Sequence, residues 1–148
     1  MGAEKKIAIG SDHAGYRLKE ELAKKLEEAG WAVENVGTYG TESCDYPDFG
    51  RRVAAKVRDG KCARGVLVCG SGVGMAMVAN KVKGVRAVNC TEPLSARLSR
   101  LHNDSNVLCL GERIVGNLMA WEILNAWLSA EFDGGRHQRR VDMIDPAD

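Results

Sequence analysis

Cys69 closes a short apolar run and stands directly before Gly70-Ser71-Gly72-Val73-Gly74. A thiol placed there can do two kinds of chemistry. Beside the amino end of a helix a thiol ionises more readily than a free one, and its thiolate can take a proton from a carbon acid. It can also attack an acyl carbon, but that role needs an adjacent base and an acyl-type substrate, and nothing in the sequence argues for one. The glycines let the chain turn sharply and expose N–H groups, and a helix start adds partial positive charge, so an anion or oxyanion is favoured there. With the Ser71 hydroxyl these groups could stabilise an enediolate. A tight strand-to-helix turn without any ligand is the plainer reading of the same glycines. Their spacing is G-x-G-x-G, unlike the dinucleotide fingerprint, and no Gly-Lys-Ser/Thr follows, unlike a P-loop.

The elements that must position this turn alternate along the chain. Short apolar runs at 6–9, 31–36, 65–69, 85–90 and 106–110 read as strands. Helical spacing occupies 16–29, with Leu18, Leu22, Ala23, Leu26 and Ala29 on one face closed by Gly30, and 115–130, with Trp121, Leu124 and Leu128. Pro47 opens a helix to about residue 58, a further helix runs to about 81, and another covers 93–101. Strand and helix in alternation predict an α/β fold with a parallel sheet covered on both faces. In such sheets ligands bind beyond the carboxyl ends of the strands. The segments there are Gly10-Ser11-Asp12-His13, residues 69–74, Cys90-Thr91-Glu92 and Gly111-Glu112-Arg113. One sheet edge thus gathers an acid, a His, a thiol, an Arg and the glycine turn.

Composition bounds the function classes. The 148 residues carry 21 Lys plus Arg against 20 Asp plus Glu, a net charge of +1. That balance gives no global reason for nucleic-acid or membrane binding, so local clusters must carry any affinity for an anion. No signal peptide, transmembrane run or myristoylation signal is read, and a cytoplasmic protein is expected. The five cysteines (Cys44, Cys62, Cys69, Cys90 and Cys109) form no CxxC pair, which removes the main support for zinc-ribbon or thioredoxin chemistry. All but Cys69 read as small buried hydrophobes in a reducing compartment. No internal repeat or linker occurs, so one domain over 1–148 is expected, with a basic tail from about 133.

Several motifs in order carry a resemblance. Gly10-Ser11-Asp12-His13-Ala14-Gly15, Asp45-Tyr46-Pro47, Cys69-Gly70-Ser71-Gly72-Val73-Gly74, Asn80-Lys81, Gly84-Val85-Arg86-Ala87, Ser99-Arg100-Leu101-His102-Asn103-Asp104, Asn106-Val107-Leu108 and residues 134–141 (Gly-Gly-Arg-His-Gln-Arg-Arg-Val) resemble type B ribose-5-phosphate isomerases across nearly the whole chain. The resemblance implies a Rossmann-like three-layer αβα sandwich with a five-stranded parallel sheet, acting as a homodimer or a dimer of dimers. It implies interconversion of D-ribose 5-phosphate and D-ribulose 5-phosphate with no cofactor and no metal. Cys69 aligns with the family's catalytic base and His102 with its ring-opening residue. Substrate contacts align with Asp12, His13, Gly70, Ser71, Gly72, Val73, Gly74, Asn103, Arg113, Arg136 and Arg140. The loop hydroxyl, often Thr in the family, is Ser71 here, which changes the fit but keeps the chemistry. Galactose-6-phosphate isomerase subunits resemble the same family. Cys69, His102 and the arginines together favour a self-sufficient enzyme.

Each residue also has a plainer role. Asp12 suits a helix N-cap, a role compatible with function. His102 could be a helix-terminal His at the carboxyl end of the dipole, though the ordinary imidazole range suits a proton shuttle. Arg136 and Arg140 are four apart, on one face if helical, and with Arg113 make a phosphate clamp; Arg139 reads as solvated. Tyr46 is a candidate for the pocket wall, and Trp121 and Trp127 for packing or a subunit interface. His102 and Asn103 are expected in a loop before the fifth strand, at the sheet edge opposite Cys69. A five-residue strand spans roughly 17 Å, so one subunit can hardly bring both to one sugar. A site shared across a two-fold dimer is therefore expected. The rivals are a non-catalytic sugar-phosphate or nucleotide-binding module, an isomerase of allose 6-phosphate, galactose 6-phosphate or a tetrose phosphate, and an NAD enzyme, for which Glu34 is the one weak ribose clamp.

Overall fold

Alternate residues of each central strand face opposite ways, and both sets are apolar, which buries the sheet on both faces. The computed structural model describes residues 5–147. Five strands are present: β1 (Lys6–Ser11), β2 (Ala32–Asn35), β3 (Arg64–Cys69), β4 (Ala87–Asn89) and β5 (Val107–Gly111). Six α-helices intervene or follow: α1 (Tyr16–Glu28), α2 (Tyr46–Arg58), α3 (Val73–Ala79), α4 (Pro93–Asn103), α5 (Asn117–Ser129) and α6 (Arg136–Asp142). All strand pairs are parallel, in the order β2-β1-β3-β5-β4. The fold is an α/β three-layer sandwich, as the alternation predicts.

The two apolar layers follow the strand alternation. Ile7, Ile9, Val66, Val68, Leu108 and Leu110 face α1, α4 and α5, meeting Leu18, Leu22, Leu26, Ala96, Ile123, Leu124 and Trp127. Ala8, Leu67, Cys69, Val107 and Cys109 face the other way, onto Val53, Ala54 and Val57 of α2 and Met75 and Ala79 of α3. Cys69 therefore belongs by parity to the α3 face. The helices start where the sequence provides for it. Pro47 and Pro93 sit in the first turns of α2 and α4, and the Glu92 carboxylate accepts from Ser95 N–H at 2.9 Å.

Strand order also fixes where a ligand can enter. From β1 the chain passes to β2 on one side, and from β3 it leads on to β4 and β5 on the other. The direction of winding thus reverses between neighbours β1 and β3, whose carboxyl ends carry Asp12 and Cys69.

Two segments differ from the sequence reading. His102 and Asn103 are not in a loop; they form the last turn of α4, which continues past residue 101. The residues after 133 are not simply a tail, because 136–142 fold as α6 with Val141 buried. The α4 terminus is held by a polar cluster. Asp104, in the left-handed conformation at φ 48°, pairs with Arg100 at 2.8 Å and Arg86 at 3.3 Å. Beside it the Trp127 indole, fully buried, donates to Ser105 Oγ at 2.8 Å, and Ser105 Oγ lies 2.8 Å from Ser99 Oγ. Ser105→Ala leaves that indole N–H buried without an acceptor and is expected to cost about 1–3 kcal/mol, read from urea unfolding. No change in unfolding midpoint would show that the indole finds another partner.

Candidate active site

A cleft of about 610 Å³ opens at the β1–β3 junction. Asp12, His13, Tyr46, Cys69, Gly70, Ser71, Val73, Gly74 and Arg113 line it, so the sequence-derived residues of this sheet edge do converge. Gly72, within the turn, is not itself a lining residue. Ala14, Met77 and Ile114 complete the wall and were not foreseen. Ala14 and Ile114 follow the ends of β1 and β5, whereas Met77, inside α3, carries no such sequence signal.

At the floor of the cleft the Gly72 N–H donates to Cys69 Sγ at 3.1 Å. Gly72 adopts φ 83°, a conformation open to glycine at no steric cost, and a side chain there would collide with Asn89. Asn89 Nδ2 donates to Ser71 O at 3.3 Å, so β4 braces the turn. Gly111 lets β5 pass close beneath: a Cβ there would lie 2.5 Å from the Ser71 carbonyl carbon. Cys69 is buried, 6% exposed as a residue, yet it lines the cleft. Ser71 Oγ accepts from Val73 N–H at 3.3 Å, which leaves its own proton free to donate. The other thiols differ. Burial pushes Cys109 well above the ordinary thiol range, with Cys69 and Cys90 adding to it. Burial, then Glu92, pushes Cys90 up to about 11. Cys62 is raised by burial as well. These are packing residues, as read from the sequence. Cys44 is not fully buried; its N–H donates to His13 Nδ1 at 3.2 Å.

Asp12 both caps and lines. Its Oδ1 accepts from Ala14 N–H at 3.0 Å and Gly15 N–H at 3.1 Å, while no described residue donates to Oδ2. Arg113 folds over Gly70, its backbone N–H donating to Gly70 O at 3.0 Å, and its guanidinium has no carboxylate partner among the described residues. A cation held without a counter-charge at a cleft is suited to an anionic group. Glu112, next in sequence, is already engaged by Leu18 N–H at 2.7 Å. Glu34 pairs with Lys56 at 2.8 Å on β2, far from any ribose-clamp role.

His102, Asn103, Arg136 and Arg140 do not join this cleft. Cys69 is in register with Gly111 and Gly65 with Val107, so the α4 terminus precedes β5 at the opposite sheet edge. Four strand steps alone separate the two levels by roughly 13 Å. At that far edge His102 and His137 stack, with ring centroids 4.5 Å apart and 16° between planes. Asp133 N–H donates to Leu101 O at 3.0 Å, tying the segment before α6 to α4. His102, Asp133 and His137 bring possible ligand atoms within 4.8 Å of one another. Stacked rings hold their nitrogen lone pairs in nearly parallel planes, which do not converge on one ion without rotation.

The His137 ring is held below the ordinary imidazole range, first by lost hydration, then by the charges of His102, Arg136 and Arg140, with Asp133 opposing. Its charged form is thus disfavoured in the folded state. The unfolded chain binds the proton more readily, so stability is present above about pH 6.5 and is lost as pH falls below it. His137→Asn is expected to make the urea midpoint fall less between about pH 7.5 and about pH 5.5. An unchanged pH profile would contradict this.

Comparison with known proteins agrees with this geometry. The family model for Ribose/Galactose Isomerase matches residues 7–144. The ribose-5-phosphate isomerase B of Escherichia coli is 51% identical over 95% of this chain and 94% of its own length. A D-erythrulose-4-phosphate isomerase of Pectobacterium atrosepticum is 42% identical over 93% of this chain and 91% of its own. The solved ribose-5-phosphate isomerase B of Clostridium thermocellum superposes with a TM-score of 0.93 at 55% identity, covering 94% of each chain. With its motifs in order, its sheet wound alike and its match unbroken from residue 7 to residue 144, the chain belongs to the ribose/galactose isomerase family.

Proposed function

We propose that this protein interconverts D-ribose 5-phosphate and D-ribulose 5-phosphate through an enediolate, with Cys69 as the base. The observation that carries the reading is the Gly72 N–H aimed at Cys69 Sγ inside a cleft that also holds Arg113, whose guanidinium has no carboxylate partner among the described residues. An N–H aimed at the sulfur can hold a thiolate in place, and a thiolate so held can reach a carbon-bound proton. The relatives named ribose-5-phosphate isomerase B support the five-carbon substrate. The tetrulose-phosphate relative makes a four-carbon sugar phosphate the second candidate, with allose 6-phosphate and galactose 6-phosphate to be assayed beside it.

The steps follow from the residues. Arg113 takes the phosphate, joined by Arg136 and Arg140 of the partner subunit. The partner subunit's His102, with Asp12, moves the protons that open the furanose ring, and the partner subunit's Asn103 holds a sugar hydroxyl. His13 and Tyr46 form the wall. Cys69 removes the C2 proton; the C2–H electrons form the C1–C2 double bond and charge collects on O1. The N–H groups of the 70–74 turn other than those of Gly72 and Val73, with the Ser71 hydroxyl, hold that oxygen. The proton returns to C1 while the O2 proton passes to O1, giving the ketose. Only protons move, so the chemistry calls for no cofactor. The reading is of a single-domain cytoplasmic enzyme acting as a homodimer or dimer of dimers. Val73, Met77 and Ile114, exposed and apolar, give the cleft a rim that a second subunit would cover.

Cys69→Ala is expected to abolish isomerisation while binding sugar phosphate nearly as well as the parent, measured by isothermal titration. Normal turnover by that variant would require another base. The shared site has its own test. Mixing Cys69→Ala with His102→Ala and letting subunits exchange should restore about a quarter of parental activity, because half the dimers regain one intact site. No recovery after verified exchange would place the whole site in one chain.

A further inference from the structure

Lys19 is fully buried on α1, though Leu18, Leu22 and Leu26 already pack that helix on the sheet. Burying an ammonium is costly unless every proton is used, and an apolar side chain would fill the same space without that cost. Here all three are used: Nζ donates to Thr38 O at 2.6 Å, Glu20 Oε1 at 2.7 Å and Asn35 Oδ1 at 3.0 Å. The Tyr16 and Tyr39 rings stand 5.2 and 5.4 Å from it. Glu20 is held below the ordinary carboxylate range, chiefly by its hydrogen bond from Lys19.

Glu20 neighbours Lys19 on α1, but the other two acceptors, Asn35 at the end of β2 and Thr38 just beyond it, lead into the connection from β2 to α2. Asn35 Oδ1 accepts also from Gly37 N–H at 3.0 Å, and Tyr39 OH donates to Asn35 O at 2.9 Å. Gly37 and Thr38 pair with Ser11, the residue before Asp12, through Ser11 N–H to Gly37 O and Thr38 N–H to Ser11 O, both 2.8 Å. Further on, the Cys44 N–H donates to His13 Nδ1 at 3.2 Å, so the neutral ring carries its proton on Nε2 and can offer it as a donor. The connection ends at Tyr46, whose ring stands over Gly74 in the cleft wall. Lys19 itself does not line the cleft.

We propose that Lys19 is a positioning residue: its ammonium fixes the path of residues 37–46 and thereby presents His13 and Tyr46 to the sugar phosphate. This rests on the proposed reading of the cleft. Cys69 and its turn are held by β3, β4 and β5 instead, so Lys19 acts on substrate binding and leaves the base alone.

Lys19→Met keeps the length of the side chain and removes the charge. Asn35→Ala, on edge strand β2, removes the acceptor shared by Lys19 and Gly37 and decides the matter should the first variant not fold. For each, KM and kcat for ribose 5-phosphate are measured per titrated Cys69. The Kd is read from protection of Cys69 against iodoacetamide, followed at that residue by mass spectrometry. KM and Kd are expected to rise together by about tenfold, the worth of a charged hydrogen bond. The alkylation rate of the free protein and kcat should stay within about threefold of the parent. Folded variants with unchanged KM and Kd would overturn the proposal, as would a fall in active fraction at unchanged Kd, the mark of a merely structural lysine. The Kd still decides if ribose 5-phosphate is bound without being isomerised, an outcome that counts against the reaction alone.

Discussion

A backbone amide held against a sulfur is the contact on which the rest of this molecule's reading depends. The Gly72 N–H reaches Cys69 Sγ only because the chain turns through a positive φ at residue 72. That turn fits only because β5 offers no side chain at Gly111, and it stays in place because Asn89 on β4 holds the Ser71 carbonyl. Three strands thus fix one donor. Cys69 ends β3, Cys109 sits at the middle of β5 and Cys90 directly follows β4, yet the latter two are neutral packing groups raised by burial. What sets Cys69 apart is the cleft in front of it and the donor beneath it.

The second constraint is topological. Winding reverses between β1 and β3, and this places Asp12, His13, Cys69 and Arg113 around one crevice. The same parallel register sends the end of α4 to the far edge, with His102 and Asn103 on it. Asp104, bridging Arg86 and Arg100, and Asp133, bonded to the last turn of α4, show that this far edge is ordered with care. A sugar phosphate served by both groups of residues must meet them on different copies of the chain, which is why the proposed enzyme is a dimer at least.

Much of this was legible in the residues. Alternating apolar runs separated by helical spacing gave the sandwich, and the residues following β1, β3 and β5 gave one wall of the cleft. The periodicity stopped short at α4, because Leu101 is the last apolar residue before the polar His102 and Asn103, and helix continues there on backbone bonds and the Asp104 cap instead. The helix at 136–142 was hidden by its composition: four of its seven residues are Arg or His, and only Val141 turns inward. The roles of Asn89, Cys44 and Lys19 were not legible because they come from partners distant in sequence: Ser71, His13 and Thr38. No local pattern marks such a contact.

The most direct measurement is a crystal structure with a phosphorylated hydroxamate that mimics the enediolate. The account predicts the hydroxamate carbon against Cys69 Sγ, its oxyanion on the amides of the 70–74 turn that neither Cys69 nor Ser71 engages, and its phosphate on Arg113. An analogue seated elsewhere, with the sulfur touching nothing but the Gly72 amide, would contradict it.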